Sequence, residues 1–245
     1  MDCHSLSANT IKFLMFNSQP MSILITNPVR RIQPSTRSIR GQISSHKNGR
    51  APQYESSLER DLLQLLEFDA DVESYCEQPI TIEYVHERVV RRYTPDVLVY
   101  YRNDSAASTD NKPMLCEVKY RADLKQNWAD LKPKFMAASR YATGRGWQFK
   151  LVTEREIRTD YLANVRFLLH YTGPHVHVMQ TDRDLLVSLL GDMHMTTGEK
   201  LLLVATADRA KRAELLYTLW HLVAVGLIHC DLTVELSLQS ELWIP

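Results

Sequence analysis

The sequence predicts an α/β fold: a mixed sheet flanked by helices, followed by a small second domain of helices ending in strands. Leucines at helical spacing in YESSLERDLLQLLEFD, a series of β-branched and aromatic runs after it, and three further apolar helical runs toward the C-terminus carry that expectation.

The first helix places Leu58, Leu62, Leu65 and Leu66 on one side, with Glu59, Arg60, Asp61 and Gln64 mostly elsewhere. Ser56 with Glu59 three residues on fits a capping box, in which the hydroxyl takes a backbone N–H and the carboxylate reaches back. Three strand-like runs follow: PITIEYVHE, RRYTPDVLVYY and MLCEVKYR. Residues 102–113 hold no large apolar group and read as an exposed loop. ADLKQNWADLKPKFMAASRYA then reads as a helix interrupted or restarted at Pro133, and GWQFKLVTE as a strand, giving the order α, β, β, β, α, β. Beyond about residue 160, TDRDLLVSLLGD, TTGEKLLLVATA and ADRAKRAELLYTLWHLVAVG read as three helices. GLIHCDLTVELSLQSELWIP closes the chain in two strand-like pieces, the composition of a winged-helix-like domain. Leu215, Leu216, Leu219, Trp220 and Val223 have the spacing of a helix core.

Composition narrows the function classes. At 245 residues and 44% hydrophobic content the chain can bury a substantial core. Its apolar runs fall far short of the roughly 20 residues a bilayer-spanning helix needs, which implies a cytoplasmic protein with no membrane partner. Cys3, Cys76, Cys116 and Cys230 are scattered and form no CxxC pair, so neither a disulfide frame nor a zinc knuckle is expected. The formal net charge is zero, yet residues 1–50 carry seven Lys or Arg against one acid while 51–160 and 161–245 are each three charges negative. The basic segment, rich in Ser, Pro, Gly and Asn, reads as a partly disordered arm whose Arg37, Arg40, Lys47 and Arg50 would contact DNA phosphates. The alternative is a solvated tail.

Acids and a lysine in the strand runs point to chemistry. Side chains alternate along a strand, so Glu117 and Lys119 share one side, and a neighbouring run brings Asp96 toward Glu117. Two close carboxylates repel unless a cation sits between them, and Mg²⁺, a hard ion taking one or two carboxylates with water and phosphate oxygens, suits the place. The Val118 carbonyl is a further candidate ligand, and Lys119 can orient a metal-bound water or hold a scissile phosphate. Pro-Asp followed some twenty residues later by Glu-x-Lys, after a helix with a third acid and before a helix and a strand, is the arrangement of PD-(D/E)xK nucleases. For Glu59 the local residues favour a cap over a ligand. His175 and His177 alternate as strand residues would, but no third ligand accompanies them.

The blocks ESSLERDLLQLLEFDADVESYCEQPITI, RYTPDVLVYY, LCEVKYRADL and FKLVTEREI, in that order, resemble the TnsA family, the endonuclease subunit of heteromeric transposases. The segment RSIRGQISSHKNGR resembles that family's N-terminal lead. The resemblance implies a restriction-endonuclease-like core, Glu59, Asp96, Glu117 and Lys119 as catalytic residues, and Glu59, Asp96, Glu117 and Val118 around Mg²⁺, with Mn²⁺ able to substitute. Some members have Gln at the position of Glu117, so this chain is nearer the general nuclease pattern. The family-like EQP block gives Gln78 a supporting role. Implied partners are double-stranded DNA at transposon ends, a TnsB-like transposase and a TnsC-like AAA+ regulator. The expected organisation is a basic arm over 1–50, an endonuclease domain over 51–160 and a partner-binding domain over 161–245. A stand-alone restriction or repair nuclease and a non-catalytic scaffold are the alternatives.

Overall fold

The computed structural model describes residues 24–29, 39–102 and 112–245. A short pair, β1 (Gly41–Gln42) and β2 (Gln53–Tyr54), leads into α1 (Ser57–Phe68). Ser56 caps α1 by accepting the Glu59 N–H at 3.2 Å. Lys47 closes its other end, donating to the Leu66 carbonyl at 2.9 Å and to the carbonyl of Asp69.

Four strands make the main sheet in the order β3 (Val72–Glu77), β6 (Val97–Tyr101), β7 (Met114–Val118), β8 (Gln148–Val152). The first two pairings are antiparallel and β7–β8 is parallel, so the sheet is mixed. A parallel pair needs a crossover, and α2 (Arg121–Thr143) supplies it. Alternation sends Cys116 and Val118 to one face, onto Leu58, Leu62, Leu63 and Leu66 of α1, and Leu115 to the other, onto Phe135, Ala138 and Ala142 of α2. The result is helix, sheet, helix. This is a restriction-endonuclease-like core. The first of these two apolar cores takes in Ile43 and Leu162, reaching past both limits expected for the domain.

Several elements differ from the sequence reading. VESYCE forms β3, whose Ser74 and buried Glu77 hid its strand character. RRYTPDVLVYY is two strands, because Pro95 has no N–H to give a ladder: β5 (Val89–Tyr93) pairs only with β4 (Ile82–His86), and β6 joins the main sheet. In α2 the break falls at Asn127 (φ −115°, ψ 20°), ahead of Pro133.

After α3 (Glu154–Ile157), α4 (Asp160–Leu168) ties the core to the C-terminal region. Buried Asp61 of α1 accepts from Arg158 at 2.9 Å and from Arg166. Asn164 donates to the carbonyls of Leu232 (2.9 Å) and Val234 (2.7 Å) and accepts the Leu236 N–H. Beyond it come α5 (Gln180–Met193), β9 (Met195–Thr197), α6 (Gly198–Ala205), α7 (Arg209–Ala224), β10 (His229–Cys230) and β11 (Glu241–Trp243), with the small strands antiparallel in the order β10, β11, β9. Leu186, Leu190, Leu201, Leu215 and Leu219 are completely buried in this third core, so the α7 spacing reports packing. His175 and His177 lie in irregular chain.

Candidate active site

Asp96 sits at the entry to β6, where Pro95 has just released the chain from β5. Its N–H donates to the Cys116 carbonyl at 3.1 Å, and the Val97–Cys116 pairing sets it opposite Glu117. Its carbonyl accepts the Gln78 N–H at 2.8 Å, and its carboxylate accepts the Val118 N–H at 2.7 Å. Gln78 is buried and held at φ 45°, a left-handed conformation that costs a non-glycine residue roughly 1–2 kcal/mol. Its N–H thus anchors the backbone of Asp96.

Both carboxylates face one cation. The Lys119 ammonium lies 3.1 Å from Glu117 Oε1, 3.8 Å from Asp96 Oδ2 and 2.9 Å from the Val118 carbonyl, to which it donates. Glu117 is 1% exposed, an acid that burial would make very costly without such partners. Its other oxygen, Oε2, accepts the Tyr93 hydroxyl at 2.5 Å, and Lys134 of α2 lies 3.2 Å from Oε1. Sequence reasoning named neither Tyr93 nor Lys134, since no spacing links β5 or the middle of α2 to Glu117.

Glu59 does two things at once. Oε1 accepts the Ser56 hydroxyl at 2.8 Å and Oε2 the Glu55 N–H at 2.8 Å, one residue before the N–H that a capping box uses. The same carboxylate feels the charge of Lys119 and, in turn, acts on Asp96. Its pKa is raised, first by burial, against the hydrogen bonds from Glu55 and Ser56 and the charge of Lys119. Burial, then the Glu117 charge, pushes Asp96 well above the usual carboxylate range, with Lys119 pulling back. Burial alone would lower Lys119, but Asp96 and Glu117 outweigh it and hold the amine above its ordinary value, so it stays an ammonium.

A divalent ion suits these donors. Two carboxylates and a carbonyl, all hard oxygens, already converge on a positive group, and Mg²⁺ asks for no more protein ligands than that. Among the described residues no group of three or more His, Cys, Asp or Glu side chains is arranged to hold a metal.

The four expected phosphate contacts fare differently. Arg37 lies outside the described residues. Arg40 is 3.7 Å from Glu55 at the surface. Lys47 and Arg50 are turned inward, which corrects the reading of both as phosphate contacts: Lys47 on the carbonyls ending α1, and Arg50 in a two-pronged pair with buried Glu77 at 2.5 and 2.6 Å. Residues 45–50 are accordingly tied to the folded core, through partners that a count of charges along a segment does not reveal.

A mixed sheet between helices, carrying a close acid pair and a lysine at the ends of adjacent strands, has the architecture of the restriction-endonuclease-like class. Two family models match the chain: TnsA-like endonuclease N terminal over residues 69–154 and TnsA endonuclease C terminal over residues 156–232. The chain belongs to the TnsA family and is a transposase endonuclease subunit, with DNA and transposase as partners. No curated protein matches it. Among the described residues no helix is long and apolar enough to cross a membrane.

Proposed function

We propose that the chain is a Mg²⁺-dependent endonuclease that cuts the 5′ strands at transposon ends, while a TnsB-like, DDE-type transposase handles the 3′ strands. The observation that carries this reading is the convergence of Asp96, Glu117 and the Val118 carbonyl on a single cation. Bound there, Mg²⁺ would supply a water made acidic enough to attack and a charge to balance the leaving oxygen. Asp96, Glu117 and the Val118 carbonyl would hold the ion. Lys119, already protonated, places its charge against the scissile phosphate, and Glu59 accepts a hydrogen bond from the attacking water. Gln78 holds Asp96 in register. Hydrolysis joins the water oxygen to phosphorus, breaks the bond to the departing sugar oxygen and returns a proton to it. Mn²⁺ can replace Mg²⁺. Arg40 and Arg37 carry what remains of the phosphate-seeking arm, and the winged-helix-like C-terminal region, three charges negative, docks a TnsC-like AAA+ regulator more readily than it reads DNA.

The test is cleavage of a transposon-end duplex by the full chain with its transposase. Asp96→Ala should abolish the cut that Mg²⁺ supports and leave the melting temperature at the parent value. Undiminished cutting by that variant would remove Asp96 from the centre.

A further inference from the structure

Lys134 is a second ammonium on an oxygen that already has one. Its Nζ is 3.2 Å from Glu117 Oε1, and Lys119 Nζ is 3.1 Å from the same atom. Oε2 is meanwhile taken by the Tyr93 hydroxyl. The two lysines are not equivalent. Lys119 also has the Val118 carbonyl and Asp96, whereas the hydrogen bond and ion pair seen for Lys134 go to Glu117 alone, with its ammonium 4.8 Å from the Tyr93 ring centre and 5.1 Å from that of Phe135. Its side chain is 20% exposed, so it stands at the edge of the centre and can turn outward.

The charge count shows what it is waiting for. With all three acids ionised, the state a bound cation favours, Glu59, Asp96 and Glu117 against Lys119 and Lys134 sum to one negative formal charge. A divalent ion makes it one charge positive, which a single phosphodiester neutralises. An ion taking Glu117 Oε1 removes the acceptor of Lys134, and a mostly buried ammonium cannot be left unpaired without a large cost.

We propose that Lys134 is a substrate-contact residue, paired with Glu117 in the free centre and handed to a DNA phosphate beside the scissile bond when metal and duplex arrive. The proposal rests on the endonuclease reading above.

Binding of a fluorescent duplex oligonucleotide to the full chain in Ca²⁺, followed over a range of NaCl concentrations, tests it. Lys134→Ala should weaken binding about 3- to 10-fold and reduce the slope of log K against log salt by about one, while Lys134→Arg keeps the parent slope. Calorimetric titration of Mn²⁺ into the DNA-free chain supplies a second readout. Lys134→Ala should bind Mn²⁺ at least as tightly as the parent, because a like charge has left the ligands. An unchanged salt slope would overturn the proposal. So would weakened Mn²⁺ binding, which would make Lys134 a holder of Glu117 instead. A chain that binds duplex with the Lys134-dependent slope but never cuts would overturn the endonuclease reading alone.

Discussion

Around the main sheet the buried set includes Asp61, Glu67, Glu77 and Glu117, whereas the C-terminal core is mostly leucine and Asp182 is the one buried acid there among the described residues. Three of the four sheet-side acids have partners that explain them as structure. Asp61 binds arginines from across the seam. Glu67 accepts the Ser45 hydroxyl, the His46 N–H and the Tyr75 hydroxyl, and Glu77 accepts the fork of Arg50 and the Gln53 N–H. Glu117 is the exception, a buried acid set against a second acid and two lysines. The contrast gives a working rule. A buried acid satisfied by its own donors is holding the fold together, and one crowded by another acid and surplus cations is holding a site for something else.

The comparison can be broken most severely at Glu59, where the cap and the site meet. Glu59→Gln keeps an oxygen for the cap, so stability should change by at most about 1 kcal/mol. Losing the charge beside Lys119 should nevertheless cost orders of magnitude in cleavage, measured with the transposase present. Near-parent cutting would return Glu59 to the fold-holding set.

In the leucine core the effect should lie wholly on the other axis. Leu219→Ala removes a fully buried side chain from α7 and should cost about 2–5 kcal/mol in thermal or chemical unfolding. Below its own melting transition the variant should still cut DNA at a comparable rate per folded molecule. A dead but folded Leu219→Ala would mean that the two regions are not separable.

The smallest effect sharpens the class of structural acids. Burial alone would raise the Asp61 carboxyl, but the hydrogen bonds from Arg60 and Arg158 and the charge of Arg166 hold it below its ordinary value. A depressed folded-state value contributes stability above the unfolded pKa of about 3.9 and loses it as pH falls. Asp61→Asn should therefore lower stability by roughly 2 kcal/mol at pH 7, a modest figure because Arg158 and Arg166 are well exposed. The gap in melting temperature between parent and variant should close below about pH 4. A gap that persists in acid would show that the arginines contribute by packing.

How much of this was legible in the sequence follows from the range of the interactions. Asp96, Glu117 and Lys119 could be read because strand alternation and pairing act over a few residues, and Pro95 marks the entry to β6. The first helix and its cap are equally local. VESYCE escaped because a buried Glu77 is tolerable only with Arg50, twenty-seven positions away. The inward turn of Lys47 and Arg50 is invisible to a charge count for the same reason. Tyr93 and Lys134 reach Glu117 only once the β4–β5 hairpin and α2 pack on one face of the sheet. The short α4, whose Arg166 and Asn164 join the two regions, carries too little periodicity to announce itself.

Glu117 is the residue whose role can be separated strand by strand. A transposon-end duplex labelled on each strand should, with the full chain, its transposase and Mg²⁺, show a break in the 5′ strand and one in the 3′ strand at each end. With Glu117→Gln, folded to the parent melting temperature, the 5′ break should vanish while the transposase's 3′ break remains. A 5′ break persisting near the parent level would contradict the assignment of this centre.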